Sequence, residues 1–105
     1  MSSDKKNIRK QFRDSVFGRD NNKCKICGAT GKLDSHHIFP RTAMLNGGYV
    51  KENGISLCEV CHQKSEQFYS TGVAAVGFHP DELYNAIDSS FELACMAAEN
   101  MAASK

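Results

Sequence analysis

Apolar residues recur at every fourth position near the start of the chain, at Ile8, Phe12 and Val16, while Lys5, Lys6, Arg9, Lys10 and Arg13 occupy the other faces. That period predicts an amphipathic helix over about residues 5–17, with Gly18 placed to close it as a C-cap. The pattern then breaks. RDNNK reads as a turn into the tight knuckle CKICG, and ATGK as a second turn. LDSHHIF is a short strand candidate that stops at Pro40, since proline cannot donate into a ladder. TAMLNGGYVKENG is a loop with Gly47-Gly48 and Asn53-Gly54 as its turn signals, and ISL is a second short strand. EVCHQKSEQFY reads as a helix with Val60, Lys64 and Phe68 spaced along it, and STGVAAVGF as an irregular connector. His79-Pro80-Asp81-Glu82 opens the longest predicted helix, about residues 80–101. Proline suits its first position and the two acids suit the positive end of the helix dipole. Leu83, Ile87, Phe91, Ala94 and Ala98 form its predicted buried stripe, and the terminal MAASK is expected to fray.

The length of 105 residues is enough for one domain, and 41% hydrophobic with 24% charged residues is an ordinary globular balance. No apolar run approaches the roughly 18 residues of a membrane span. MSSDKKNIRK has basic residues but no apolar stretch behind them, so no secretory signal is read there. The expectation is a cytoplasmic protein with no membrane partner. A reducing compartment changes the meaning of the five cysteines, because paired CxxC spacings there point to metal rather than to disulfides. Four fall into Cys24-x-x-Cys27 and Cys58-x-x-Cys61; Cys95, inside the last helix, is expected to be a small buried hydrophobe.

Thirty residues separate the two pairs, which suits a tetrahedral four-cysteine site with thiolates ~2.3 Å from zinc. Such an ion contributes folding free energy on the order of 10 kcal/mol to a domain whose short strands provide a modest core. Iron in a rubredoxin-like site uses the same knuckles but leaves the histidines unexplained. Zinc held by four thiolates has no open position, so any chemistry needs a second site. His36 and His37 are adjacent, His62 follows Cys61, and Glu66 lies four residues further on. On a helix Cys61 and His62 project about 100° apart. The cysteine can then face the zinc while His62 faces another pocket, with Glu66 on its own face. Neighbouring strand residues point to opposite faces, so His36 and His37 share a pocket only where the strand bends or ends, and Pro40 suits an early ending.

CKICG, LDSHHIFPR and ENGISLCEVCH, in that order over about residues 17–69, resemble the zinc-containing branch of the HNH nucleases. The resemblance implies a small α+β chain with a ββα-metal, treble-clef-like core. A structural zinc on Cys24, Cys27, Cys58 and Cys61 would hold that core, flanked by the N-terminal basic helix and the C-terminal helix, as one domain over residues 1–105. It implies a metal-dependent DNA endonuclease that hydrolyses phosphodiester bonds to leave 5′-phosphate and 3′-hydroxyl ends. His37 falls at the general base and His36 at a metal-ligand position that is usually Asp, Glu or His. Asn53 falls at the asparagine that holds the loop between the strands and helps orient the base, and His62 at a metal ligand on the helix. Some members carry a further histidine where this chain has Glu66, a candidate ligand directly or through water. Mixed imidazole and oxygen ligands suit Mg²⁺ or Mn²⁺ as the catalytic ion, although Zn²⁺ or Ni²⁺ can bind more tightly.

The net charge of +1 hides an asymmetry. Residues 1–41 hold ten Lys/Arg against four Asp/Glu, and residues 42–105 hold three against eight. Arg41, Lys32 and Lys64 are candidate phosphate contacts, and Lys5, Lys6, Arg9, Lys10 and Arg13 candidates for the backbone of duplex DNA, contacts that are salt-dependent and blind to sequence. With no recognisable base-reading module, weak sequence preference or nicking is expected, and specificity would come from a homodimer or from a larger nucleic-acid-processing assembly. Compact chains of this type resemble stand-alone nucleases of bacteria and phages, including those that work beside packaging machinery. Two other readings use the same residues: a zinc-knuckle nucleic-acid-binding module without catalysis, and a protein-interaction domain that pairs through the helix at 80–101.

Overall fold

Helix α1 (Ser2–Arg19) buries Phe12 and Val16 and leaves Arg9, Lys10 and Arg13 in solvent. The structure, a computed structural model, describes residues 2–40 and 44–103, and the side chains of residues 7–40, 44 and 47–100. The helix runs one residue past Gly18, which is not its cap. The left-handed turn falls instead on Asn21 and Asn22, at φ 58° and 55°, the residue type that best tolerates that region after glycine.

The end of α1 is bolted to the sheet through a buried carboxylate. Asp20 accepts from the Arg19 guanidinium at 2.8 and 2.9 Å and from the Ser56 N–H at 2.9 Å, and Arg19 also donates to the Gly54 carbonyl at 2.7 Å. Burial works to raise the Asp20 pKa, but the Arg19 and Ser56 hydrogen bonds outweigh it and hold the carboxyl below its ordinary value. A depressed folded pKa means stability that is present above the unfolded value of about 3.9 and is lost as pH falls through the lower folded value. Asp20→Ala is therefore expected to cost about 2–4 kcal/mol at neutral pH, since it strands a buried N–H and a charged partner. In urea titrations the gap to the parent should narrow below about pH 4; a gap that stays constant into acid would contradict this assignment.

Strand β1 (Asp34–His37) pairs antiparallel with β2 (Gly54–Leu57), matching Asp34 to Leu57, Ser35 to Ser56, His36 to Ile55 and His37 to Gly54. Directly paired residues share a face, so the register sorts the hairpin. Ser35, His37, Gly54 and Ser56 face α1, while Asp34, His36, Ile55 and Leu57 face the other way. Gly54 lets α1 approach: a Cβ there would stand 2.5 Å from Val16 Cγ2 and 2.6 Å from Phe12 Cζ.

Helix α2 (Glu59–Thr71) leaves β2 at once, with Cys58 at its N-cap and Gly72 closing it in the left-handed region at φ 79°. Hairpin and helix together make the ββα core. On the Ile55 and Leu57 side the main apolar core continues through Ile38, Phe78, Leu83, Tyr84, Ile87, Ala94 and Ala98.

The single helix expected over 80–101 is two helices, α3 (Pro80–Ala86) and α4 (Phe91–Ala103). Asp88 adopts φ 55°, the Ser89 hydroxyl donates to the Glu52 carbonyl at 2.8 Å, and the Ser90 hydroxyl accepts from the Leu93 N–H at 3.1 Å to start α4. Short polar side chains that bond nearby backbone offer an alternative to the helix ladder, and the Asp88-Ser89-Ser90 run interrupts it here. Leu83, Ile87, Ala94 and Ala98 are buried as expected, but Phe91 is 42% exposed with its ring against Phe39, and Cys95 is only half-buried. Among the described residues no helix is long and apolar enough to cross a membrane.

Candidate active site

Backbone hydrogen bonds fold residues 24–29 into the knuckle, from Cys24 N–H to the Ala29 carbonyl and from Gly28 N–H to the Cys24 carbonyl, both 2.8 Å. The Lys25 N–H then reaches the Ser56 carbonyl at 2.9 Å, which sets the first cysteine pair beside the second at the head of α2. Thiolates ~2.3 Å from a tetrahedral zinc stand about 3.8 Å apart. Cys27 Sγ and Cys58 Sγ are 3.6 Å apart, and all four sulfurs lie within 4.8 Å of one another. The donor set fits a structural zinc. Burial pushes the Cys24 thiol up, but N–H groups of Cys27, Cys58 and Ile26 aimed at its sulfur bring it down to about 6. Burial and the neighbouring thiols raise Cys61. Four thiols this close cannot all ionise without a cation among them.

A second group of donors converges on the other side of the same turn of α2. Ligand atoms of His36, His62 and Glu66 lie within 4.8 Å of one another. Glu66 Oε1 is 3.1 Å from His62 Nε2 and 3.5 Å from His36 Nδ1. Donors ~2.1 Å from one ion, roughly 90–110° apart, are separated by about 3.0–3.4 Å, so these spacings suit a shared divalent cation. His36 is 4% exposed and its Nε2 is buried with no hydrogen-bond partner among the described residues. Burial above all, then the neighbouring His62 and His37, pushes its pKa down to about 3, which keeps the ring neutral. The other nitrogen of His62, Nδ1, is 3.1 Å from Asp34 Oδ2. A carboxylate on one nitrogen of an imidazole aims the ring, and with an ion held between His62 and Glu66 the Asp34 contact would keep the proton on Nδ1 and free Nε2 as the donor to that ion.

These donors line a cleft of about 370 Å³ with Ser35, His37, Pro40 and Tyr69. His36 and His37 project from opposite faces of β1, yet both border the cleft because the strand ends at His37. The half-buried His37 ring stacks on Phe12 at 4.4 Å between centroids and meets Tyr49 edge-on at 4.8 Å. The backbone after it is pinned. Ile38 N–H donates to the Asn53 carbonyl at 2.9 Å, and the Tyr69 hydroxyl donates to the Ile38 carbonyl. The Asn53 side chain is fully buried; its Oδ1 accepts from Phe39 N–H at 3.0 Å and from the Tyr84 hydroxyl at 2.7 Å, and its Nδ2 donates to the carbonyls of Phe39 and Gly48. Asn53 thus ties the end of β1 to the loop that returns to β2.

Residues 24–68 match the HNH endonuclease family. The chain carries an HNH endonuclease domain. HNH endonucleases are phosphodiester hydrolases, and the match over residues 24–68 implies a divalent ion and a nucleic-acid substrate. No curated protein and no solved structure gave a significant match. The HNH segment covers the hairpin, both cysteine pairs and most of α2, while α1, α3 and α4 lie outside it.

The remaining sequence candidates distribute differently. Lys64 stands over the Phe78 ring at 5.8 Å and Lys32 sits in the exposed turn before β1; neither lines the cleft. Arg41 and the side chains of Lys5 and Lys6 lie outside the described residues. Lys10 is paired with Asp14 at 2.7 Å. Sequence reasoning missed Asp34 and Tyr84. The period of two along a strand could have found Asp34, two residues before His36 and on its face. Nothing local marks Tyr84, whose hydroxyl reaches Asn53 across 31 residues of chain.

Proposed function

We propose that this HNH domain is a DNA endonuclease that uses one divalent ion and cuts with weak sequence preference, nicking duplex strands. The observation that carries the reading is the second donor cluster, His36, His62 and Glu66, set apart from the four cysteines on the same helix. His37 borders that cleft and is the proposed general base: its neutral imidazole takes a proton from the attacking water near neutral pH. Phe12 and Tyr49 hold the plane of that ring, and Asn53 holds the strand end that carries it. Asp34 orients His62. His36, His62 and Glu66 would hold a divalent ion, Mg²⁺ or Mn²⁺ for this mixed set, which would supply Lewis-acid stabilisation of the charge that develops during phosphodiester hydrolysis. Tyr69 stays a neutral donor in the cleft wall, since burial and Glu66 push its pKa up to about 12.

The test is plasmid cleavage by the zinc-loaded protein with Mg²⁺, Mn²⁺ or Ni²⁺. Expected are nicked circles whose new ends carry 5′-phosphate and 3′-hydroxyl groups. A folded, zinc-loaded protein that binds the plasmid but cuts it with none of these ions would leave a zinc-knuckle binding module instead.

A further inference from the structure

We propose that Arg9 and Arg13 of α1 form a second phosphate subsite beside His37, which takes a phosphate flanking the scissile one and makes a polynucleotide the preferred substrate over an isolated phosphodiester. The proposal rests on the nuclease reading and adds a binding site outside the matched segment.

Two clefts meet at His37. The first holds the His36, His62 and Glu66 donors, and no Lys or Arg is among its described lining residues. The second, of about 300 Å³, is lined by Arg9, Phe12, Arg13, Ser35, His37 and Tyr49. Ser35 and His37 belong to both, so the two form one path across the end of β1 with the proposed base at the junction. A nucleic-acid strand with its scissile phosphate in the first cleft must place a neighbouring phosphate on one side or the other. The second cleft is where cations wait for it.

Arg9 and Arg13 are one helical turn apart and therefore stand side by side on one face of α1. Phe12, between them, stacks on His37 and fixes that face against the hairpin. Among the described residues neither arginine has an ion-pair partner. Lys10, by contrast, is committed to Asp14 on another face and is absent from the cleft lining. The guanidinium fork matches phosphate oxygens in bidentate geometry, and two forks bordering one concavity favour an anion there. The basic candidates on this helix are thus not equivalent, and the structure singles out two.

The experiment compares the zinc-loaded parent with the full-length Arg9→Ala/Arg13→Ala variant on two substrates: a duplex oligonucleotide, and bis(4-nitrophenyl) phosphate, which carries one phosphate and no neighbour. The variant is expected to lower the ratio of duplex to small-diester kcat/KM at least about ten-fold, and to flatten the slope of log Kd against log salt for the duplex by up to about 2. Lys23→Ala, which removes an exposed cation that lines neither cleft, should move neither. Loss in equal proportion on both substrates would overturn the subsite, because the arginines would then be supporting His37 or the fold. An unchanged duplex rate and salt slope would overturn it as well. If the parent cuts neither substrate, the nuclease reading fails by itself. The duplex Kd and its salt slope still decide the subsite, a change in the double variant alone supporting it and no change refuting it.

Discussion

His37→Ala is expected to reduce plasmid cleavage by about 10²–10⁴-fold, the usual contribution of a positioned general base, while zinc content stays at the parent level. The ring also packs between Phe12 and Tyr49, so its removal leaves a gap and lowers Tm by a few degrees, on the order expected for a partly buried truncation. The two effects separate cleanly. Cleavage measured well below the variant's Tm reports the chemistry alone, and added imidazole, small enough for the vacated space, should restore part of the rate. Cleavage by His37→Ala at the parent rate would reject the assignment of the base. Loss of cleavage together with loss of zinc would mean that the histidine serves the fold.

Cys58→Ser should have a different phenotype of comparable size. Cys58 is both a member of the sulfur cluster and the residue from which α2 starts, with its carbonyl accepting the His62 N–H at 2.8 Å. A structural zinc contributes on the order of 10 kcal/mol, against a net stability of about 5–15 kcal/mol for a domain. The variant is therefore expected to lose its cooperative thermal transition and its dispersed amide spectrum, and a strong chelator should do the same to the parent. A Cys58→Ser protein that melts like the parent would show that the four sulfurs do not hold the fold.

The parts of this arrangement that are legible in the sequence are those with short-range geometry. A CxxC knuckle is defined within four residues, and the angle between Cys61 and His62 follows from one helical turn, so the two donor clusters on α2 are readable before any coordinates. Asn53 and Gly54 are legible as a turn, but the reason for the glycine is not, because Phe12 and Val16 come from a helix some forty residues earlier. Asp20 reads as one more solvated acid in a turn; its buried place beside Arg19 and Ser56 exists only once α1 packs on β2. The break between α3 and α4 is hidden for another reason. The apolar spacing continues through Ile87 and Ala94 as if nothing intervened, since both helices bury the same kind of face, and only the Asp88-Ser89-Ser90 run signals the stop. Likewise the basic residues spaced along α1 look alike in sequence, while the cleft beside His37 distinguishes Arg9 and Arg13 from Lys10.

The central claim is that one turn of α2 serves two ions of different kinds, one sealed among sulfurs and one left open to solvent and substrate. Titration of the zinc-loaded protein with Mn²⁺, followed by electron paramagnetic resonance, addresses it directly. The account predicts that the parent keeps its zinc and takes up one Mn²⁺ per chain, and that His62→Ala keeps the zinc but no longer binds Mn²⁺. Equal uptake of Mn²⁺ by both proteins, or uptake only as zinc is displaced, would contradict it.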